Sequence, residues 1–219
     1  MINMGLNNEY GGMVLSGIFL TLEMSVGGIV FAMILGLLLQ SCNQTSNRMT
    51  ALFYRLYLTI FRGTPLLLQL FLIFYGEPYI GINWSAETVG LIGLGLYGAA
   101  YFAEILCAAR ASIPRGQLEA ASDLGLTGTQ IFRAVLWPQM MARCTPALVR
   151  QMIILVKQSS LLSIITVAEL THAAKTSAAY SYATLEPYTI LLLTYGATAV
   201  ALVSAGSRAE QYFNNYLQR

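Results

Sequence analysis

Five long apolar runs constrain this chain more than any other feature. They fall near Met13 to Leu39, Leu52 to Tyr75, Thr88 to Ala109, Thr145 to Val167 and Tyr188 to Ser204. A helix crosses a bilayer with about 20 mostly apolar residues, and helices and closed barrels alone satisfy their backbone hydrogen bonds in hydrocarbon. At that length, 219 residues hold five or six spans with short loops and leave no room for a second soluble domain. Charge content agrees: 10% of residues are charged, against roughly a quarter in soluble domains, and the mean hydropathy is +0.61. The chain therefore reads as an all-α membrane protein, with residues 1–219 forming one transmembrane domain. Hydrophobic continuity, not periodicity, sets the spans near 13–39, 52–75, 88–109, 145–167 and 188–204. Glycines within them, such as Gly27, Gly28 and Gly36 in the first and Gly90, Gly93, Gly95 and Gly98 in the third, suit close helix packing.

Several function classes drop out early. Residues Met1 to Gly12 carry no Lys or Arg, so the basic region of a signal peptide is missing and the first run reads as an uncleaved span. Cys42, Cys107 and Cys144 form no metal or disulfide pattern and read as small apolar packers. A net charge of +2, with dispersed arginines, gives no nucleic-acid surface. His172 stands alone in an outer loop and reads as a solvated or packing histidine. No residues are assigned to catalysis or to metal binding. No phosphate loop of the form GxxxxGK[S/T] occurs, so any ATP hydrolysis belongs to another chain.

Loops rich in Lys and Arg stay in the cytoplasm. Five spans put Arg48, the stretch with Arg110, Arg115, Arg133 and Arg143, and the tail with Arg208 and Arg219 on one side, leaving Lys175 on the other. That asymmetry places the N-terminus outside and the C-terminus in the cytoplasm. It also puts the polar loop of about residues 110–140 in the cytoplasm, and the segments 76–87 and 168–187 outside.

The cytoplasmic loop contains Glu119, Ala120, Ala121, Ser122, Asp123, Leu124 and Gly125, with Pro138 further on. The run predicts a short helix. Glu119 is expected in its first turn, two alanines allow another surface to come close, Gly125 ends it, and Pro138 marks where the next segment restarts. This pattern resembles the EAA coupling loop of the membrane permease subunits of bacterial ABC importers, with Val135, Leu136, Trp137 and Pro138 at the family's I-x-L-P. Other blocks resemble the polar amino-acid branch, which imports histidine, arginine, glutamine, glutamate or cystine. They are GIFLTL at 17–22, Phe61 to Leu66 followed by Gln69, Leu70 and Phe71, Ala100 to Ile105, and Lys157 to Leu161. Together they cover residues 17 to about 169, in the family's order. Trp137 stands at the family's Leu, Tyr97 and Gly98 at its Asn-Thr, and Gln158 at its acid.

The resemblance implies the five-helix core of a type I importer transmembrane domain with a cytoplasmic coupling helix, in a bacterial inner membrane. It implies a second permease subunit, identical or related, and two ATP-binding subunits that carry ATP and Mg. It also implies an extracytoplasmic binding protein and an amino-acid substrate. In that picture Glu119, Ala120, Ala121, Asp123, Gly125 and Pro138 couple to the ATPase.

The charges within the apolar runs include Glu23, Arg62, Glu104 and Lys157. Each costs roughly 3 kcal/mol at the bilayer centre, so each is expected to face a partner or a polar cavity. Pro65 is expected to bend the second span just after Arg62, Gly63 and Thr64. An amino acid carries a carboxylate and an ammonium, which Arg62 or Lys157 and Glu104 would complement. Thr64, Gln69, Tyr101, Ser159 and Ser160 complete the candidate substrate set. A secondary carrier using Glu23, Glu104 and Lys157 as an ion or proton relay is the alternative reading.

Overall fold

The computed structural model describes residues 4–42, 47–182 and 185–217, and every regular element among them is helical. Arg219, used above for orientation, lies outside these residues. The main helices are α1 (Met4–Cys42), α2 (Arg48–Gly63), α3 (Leu66–Gly76), α4 (Ala86–Ala111) and α5 (Arg115–Asp123). A single turn α6 (Gly128–Gln130), α7 (Trp137–Gln158), α8 (Leu170–Ser181) and α9 (Leu185–Leu217) follow.

Helix α4 is the centre of the molecule. Val89, Leu94, Ala99, Ala100, Phe102 and Ala103 on it have no exposed surface, and α1, α2, α3 and α7 all pack against it. Its approach to α1 depends on missing side chains. A Cβ on Gly36 would lie 3.2 Å from the Ala103 nitrogen, and one on Gly95 would lie 2.0 Å from the Phe31 ring. The glycines thus let two spans meet at backbone distance, as small residues do in lipid.

The expected first and third spans, 13–39 and 88–109, lie inside the helices α1 and α4. The expected second span near 52–75 is not one rod. Its two halves meet at 103°, α2 having 16 residues and α3 having 11. At 1.5 Å per residue these are about 24 and 16 Å long, and neither crosses a hydrocarbon core of about 30 Å alone. The sequence dictates the break. Pro65 disfavours the α conformation at the residue before it, and Thr64 is extended at φ −120° and ψ 146°. Counted with this bent pair as one, there are up to five spans among the described residues.

Two boundaries expected from hydropathy move. The fourth span, expected near 145–167, extends back along a continuous helical rod to Gly128, so the coupling loop expected at about 110–140 narrows to the residues between Ala111 and Gly128. Polar residues on that extension, Arg133, Gln139 and Arg143, hid it from a hydropathy reading. The fifth span, expected near 188–204, belongs to the longer α9. The segment 168–187, expected as an outer loop, folds into α8 over most of its length.

Candidate functional site

Two of the membrane-embedded charges, Arg62 and Glu104, meet at the α2–α3 break. Arg62 occupies the last turn of α2, where the helix dipole favours a cation, and its Nη1 donates to Glu104 Oε1 of α4 at 2.5 Å. This is the one ion pair among the described residues, and its side chains remain 36% and 47% exposed. The guanidinium also lies 5.4 Å from the Tyr101 ring centre, within reach of a cation–π attraction. Tyr97 donates its hydroxyl to the Tyr101 hydroxyl at 3.3 Å. Residues 97, 101 and 104 follow the i, i+4, i+7 spacing of one helix face. That spacing was the signal by which Tyr97 could have been added to the sequence-derived set.

Thr64 and Gln69 have local work at the break. The Gln69 amide, buried on α3, donates to the carbonyls of Phe61 and Thr64 at 3.0 and 3.1 Å and to Thr64 Oγ1 at 2.8 Å. Thr64 Oγ1 in turn donates to the Ile60 carbonyl. Breaking a helix orphans carbonyls that would cost free energy in a dry interior, and Gln69 satisfies them.

Lys157, Ser159 and Ser160 lie elsewhere, at the junction of α7 with the 3₁₀ segment Ser159–Ile165. Lys157 and Ser160 line a cleft with Thr171, Tyr188 and Tyr195 from α8 and α9. Ser159 is fully buried and donates to the Val156 carbonyl. Among the described residues no ion pair joins Lys157 to Glu104, and the partner of Glu104 is Arg62. Glu23 is exposed on α1. The eight candidate residues therefore divide into a five-residue group at the break and a three-residue group beside α9.

Sequence reasoning passed over Glu169, which organises that second region. Its carboxylate is fully buried and caps α8, accepting from the Thr171 and His172 backbone N–H groups at 2.8 and 3.0 Å. Thr21 of α1 and Tyr195 of α9 each donate to its Oε2 at 3.4 Å. Burial pushes the Glu169 carboxyl above its ordinary range, opposed by the Thr171 and His172 N–H groups. An acid directly before a helix start was the available signal.

The segment expected to couple has its own construction. Pro114 opens α5, so the helix starts at Arg115 and its first turn holds no acid. Glu119 is a mid-helix residue rather than the first-turn residue expected. Gly125 closes the helix at φ +78°. Its N–H donates to the Ser122 carbonyl at 2.9 Å, and the Leu126 N–H to the Ala121 carbonyl at 3.2 Å, the paired bonds of a Schellman cap. Ala121 is buried, whereas Glu119, Ala120, Asp123 and Gly125 are exposed and Leu124 is 82% exposed.

Side chains of α7 tie this segment to the membrane helices. Gln139 Nε2 donates to Gln117 Oε1 at 2.8 Å, and Arg143 Nη1 donates to the Ser112 carbonyl and to Ser112 Oγ. Pro138 is buried one residue into α7, immediately after the π-helical segment Ile131–Leu136. A proline lacks the N–H for the preceding turn, and the widened turn accommodates it.

A short, exposed helix held on a long membrane rod, beside a broken span, is the architecture with which the comparisons agree. The family described as binding-protein-dependent transport system inner membrane component matches residues 28–214. The chain belongs to this family. The permease is 37% identical over 184 residues to a probable amino-acid ABC transporter permease protein, YckA, of Bacillus subtilis (strain 168), covering 84% of this chain and 81% of that one. It is 32% identical over 199 residues to the arginine transport system permease protein ArtQ of the same organism, covering 90% and 91%. Its fold matches a crystal structure of an amino acid ABC transporter with histidines at a TM-score of 0.85 and 31% identity, over 97% of this permease and 99% of that chain. The permease is thus an all-α, inner-membrane transport subunit of the type I importer fold. ATP hydrolysis in this family belongs to separate subunits.

Proposed function

We propose that this permease moves a polar or charged amino acid into the cytoplasm by ATP-driven alternating access. The observation that carries the reading is the Arg62–Glu104 couple at a helix break, half-exposed although both residues lie within apolar runs. A charged pair inside a bilayer that is not sealed from solvent is costly unless a cavity or solute meets it. Arg62 supplies a donor fork for a carboxylate, Glu104 an acceptor for an ammonium, and Tyr97 and Tyr101 aromatic faces and hydroxyls. The same chemistry matches relatives whose names specify amino-acid and arginine transport.

In this reading two permeases, the same or closely related, enclose the pathway, and the outward apolar face of α9, including Leu192, Leu193, Val200 and Val203, meets lipid or the second copy. The N-terminus lies outside, and α5 presents Glu119, Ala120, Asp123 and Gly125 to a cytoplasmic ATPase that holds ATP and Mg. A binding protein delivers the solute to the outer face. Closure of the ATPase pair pulls α5, and the Gln117–Gln139 and Ser112–Arg143 ties carry that motion into α7.

The test is uptake into vesicles holding the permease with its ATPase and binding protein. Uptake should require ATP and resist uncouplers, and Arg62→Met and Glu104→Gln should each lower it roughly tenfold, a contact energy of about 1.4 kcal/mol. The double variant should transport no better than either single. Recovery of uptake in the double would make the two residues structural partners alone.

A further inference from the structure

A second polar cleft lies apart from the Arg62–Glu104 couple and from the exposed face of α5. Gln40 from the last turns of α1, Arg110 from the last turn of α4 and Arg115 at the start of α5 line it, and Ala111, Ile113 and Leu118 form its apolar wall. Since α1 and α4 are candidate spans that end at Cys42 and Ala111, the cleft sits where hydrocarbon gives way to headgroups.

Its chemistry is incomplete as it stands. Neither Arg110 nor Arg115 has an ion-pair partner among the described residues, although two guanidiniums share one cleft. Gln40 as a whole is 5% exposed, and its amide lines the cleft with no hydrogen bond to another described residue. The amide thus has bonding capacity left for a ligand atom in the cleft. Donors and positive charge converge, and the cleft has no acid among its lining residues.

We propose that this cleft binds a phosphate group, and that its occupant is the headgroup of an anionic phospholipid. Paired guanidiniums match phosphate oxygens in geometry as well as charge. Basic pockets between membrane helices at the bilayer edge recognise such headgroups, and the apolar wall suits the glycerol and upper acyl chain. Because Arg115 is the first residue of α5, the bound headgroup fixes the start of the coupling helix.

The full-length permease in non-ionic detergent tests this by native mass spectrometry and thermal shift, with dioleoyl phosphatidylglycerol, dioleoyl phosphatidylcholine and inorganic phosphate as probes. Phosphatidylglycerol should be retained roughly tenfold more strongly than phosphatidylcholine. Combined Arg110→Gln and Arg115→Gln should abolish the preference, paired Lys substitutions should keep most of it, and Arg133→Gln outside the cleft should leave it unchanged. Ala111→Phe, which fills the cleft without altering charge, should also abolish it and so separates loss of the site from loss of charge. Arginine-dependent stabilisation by inorganic phosphate, with no lipid preference, would retain the phosphate site and assign it to a soluble anion. Equal retention of both lipids with no effect of phosphate would overturn the proposal. Loss of the phosphatidylglycerol adduct on adding the ATPase subunits would also overturn the lipid assignment and give the arginines to a partner carboxylate.

Discussion

Single residues in this permease act through backbone geometry as much as through contacts, and Gly125 is the clearest case. Apart from its chain neighbours, nothing among the described residues lies within 4 Å of where its Cβ would be, so space there does not require glycine. Its φ of +78° does, because a side chain in the left-handed region costs roughly 1 kcal/mol except in residues such as Asn that tolerate it. Gly125→Asn should therefore keep more transport than Gly125→Val, with both variants inserting at normal levels in the membrane. Vesicle uptake checks this. Equal loss in the two would move the requirement from helix capping to the surface that docks on Gly125.

At the scale of elements, the α2–α3 break depends on one side chain from the following helix. Gln69→Leu keeps approximate size but leaves the Phe61 and Thr64 carbonyls without the donor they now have. Leaving a buried polar group unsatisfied costs about 1–3 kcal/mol, so the variant should melt several degrees lower in detergent. Differential scanning fluorimetry measures this directly, and Leu68→Ala on the exposed side of α3 serves as the control. An unchanged melting temperature for Gln69→Leu would mean that water or relaxed backbone satisfies the break. Helix α5 is held similarly from outside itself, through Gln117 and through Ser112 at the loop entrance. Neither tie follows from sequence spacing, since their partners on α7 lie 22 and 31 residues away.

For the whole molecule, the orientation proposed from the arginine asymmetry has a direct check. Single cysteines at Asn83, in the exposed loop before α4, and at Thr127, between α5 and α6, lie on opposite sides in that arrangement. In a background without Cys42, Cys107 and Cys144, an impermeant thiol reagent added to intact cells should label Asn83→Cys and leave Thr127→Cys unmodified until the cells are opened. Labelling of Thr127→Cys in intact cells would reverse the orientation.

Apolar run length determined that the chain is a bundle of membrane helices, because crossing hydrocarbon depends on local composition alone. The Thr64-Pro65 step likewise determined where the second span breaks, and Gly125 where α5 ends, because each restricts its own backbone. The sequence also marked Arg62 and Glu104 as charges needing partners. Only the tertiary structure paired them, across 42 residues, and separated them from Lys157. It also decided that Glu169 is a buried cap, that α7 continues below the apolar run, and that Arg110 and Arg115 share a cleft. These depend on which helices lie side by side. That is fixed by packing such as Gly36 against the α4 backbone, a sum of weak contacts between distant residues that no local pattern encodes.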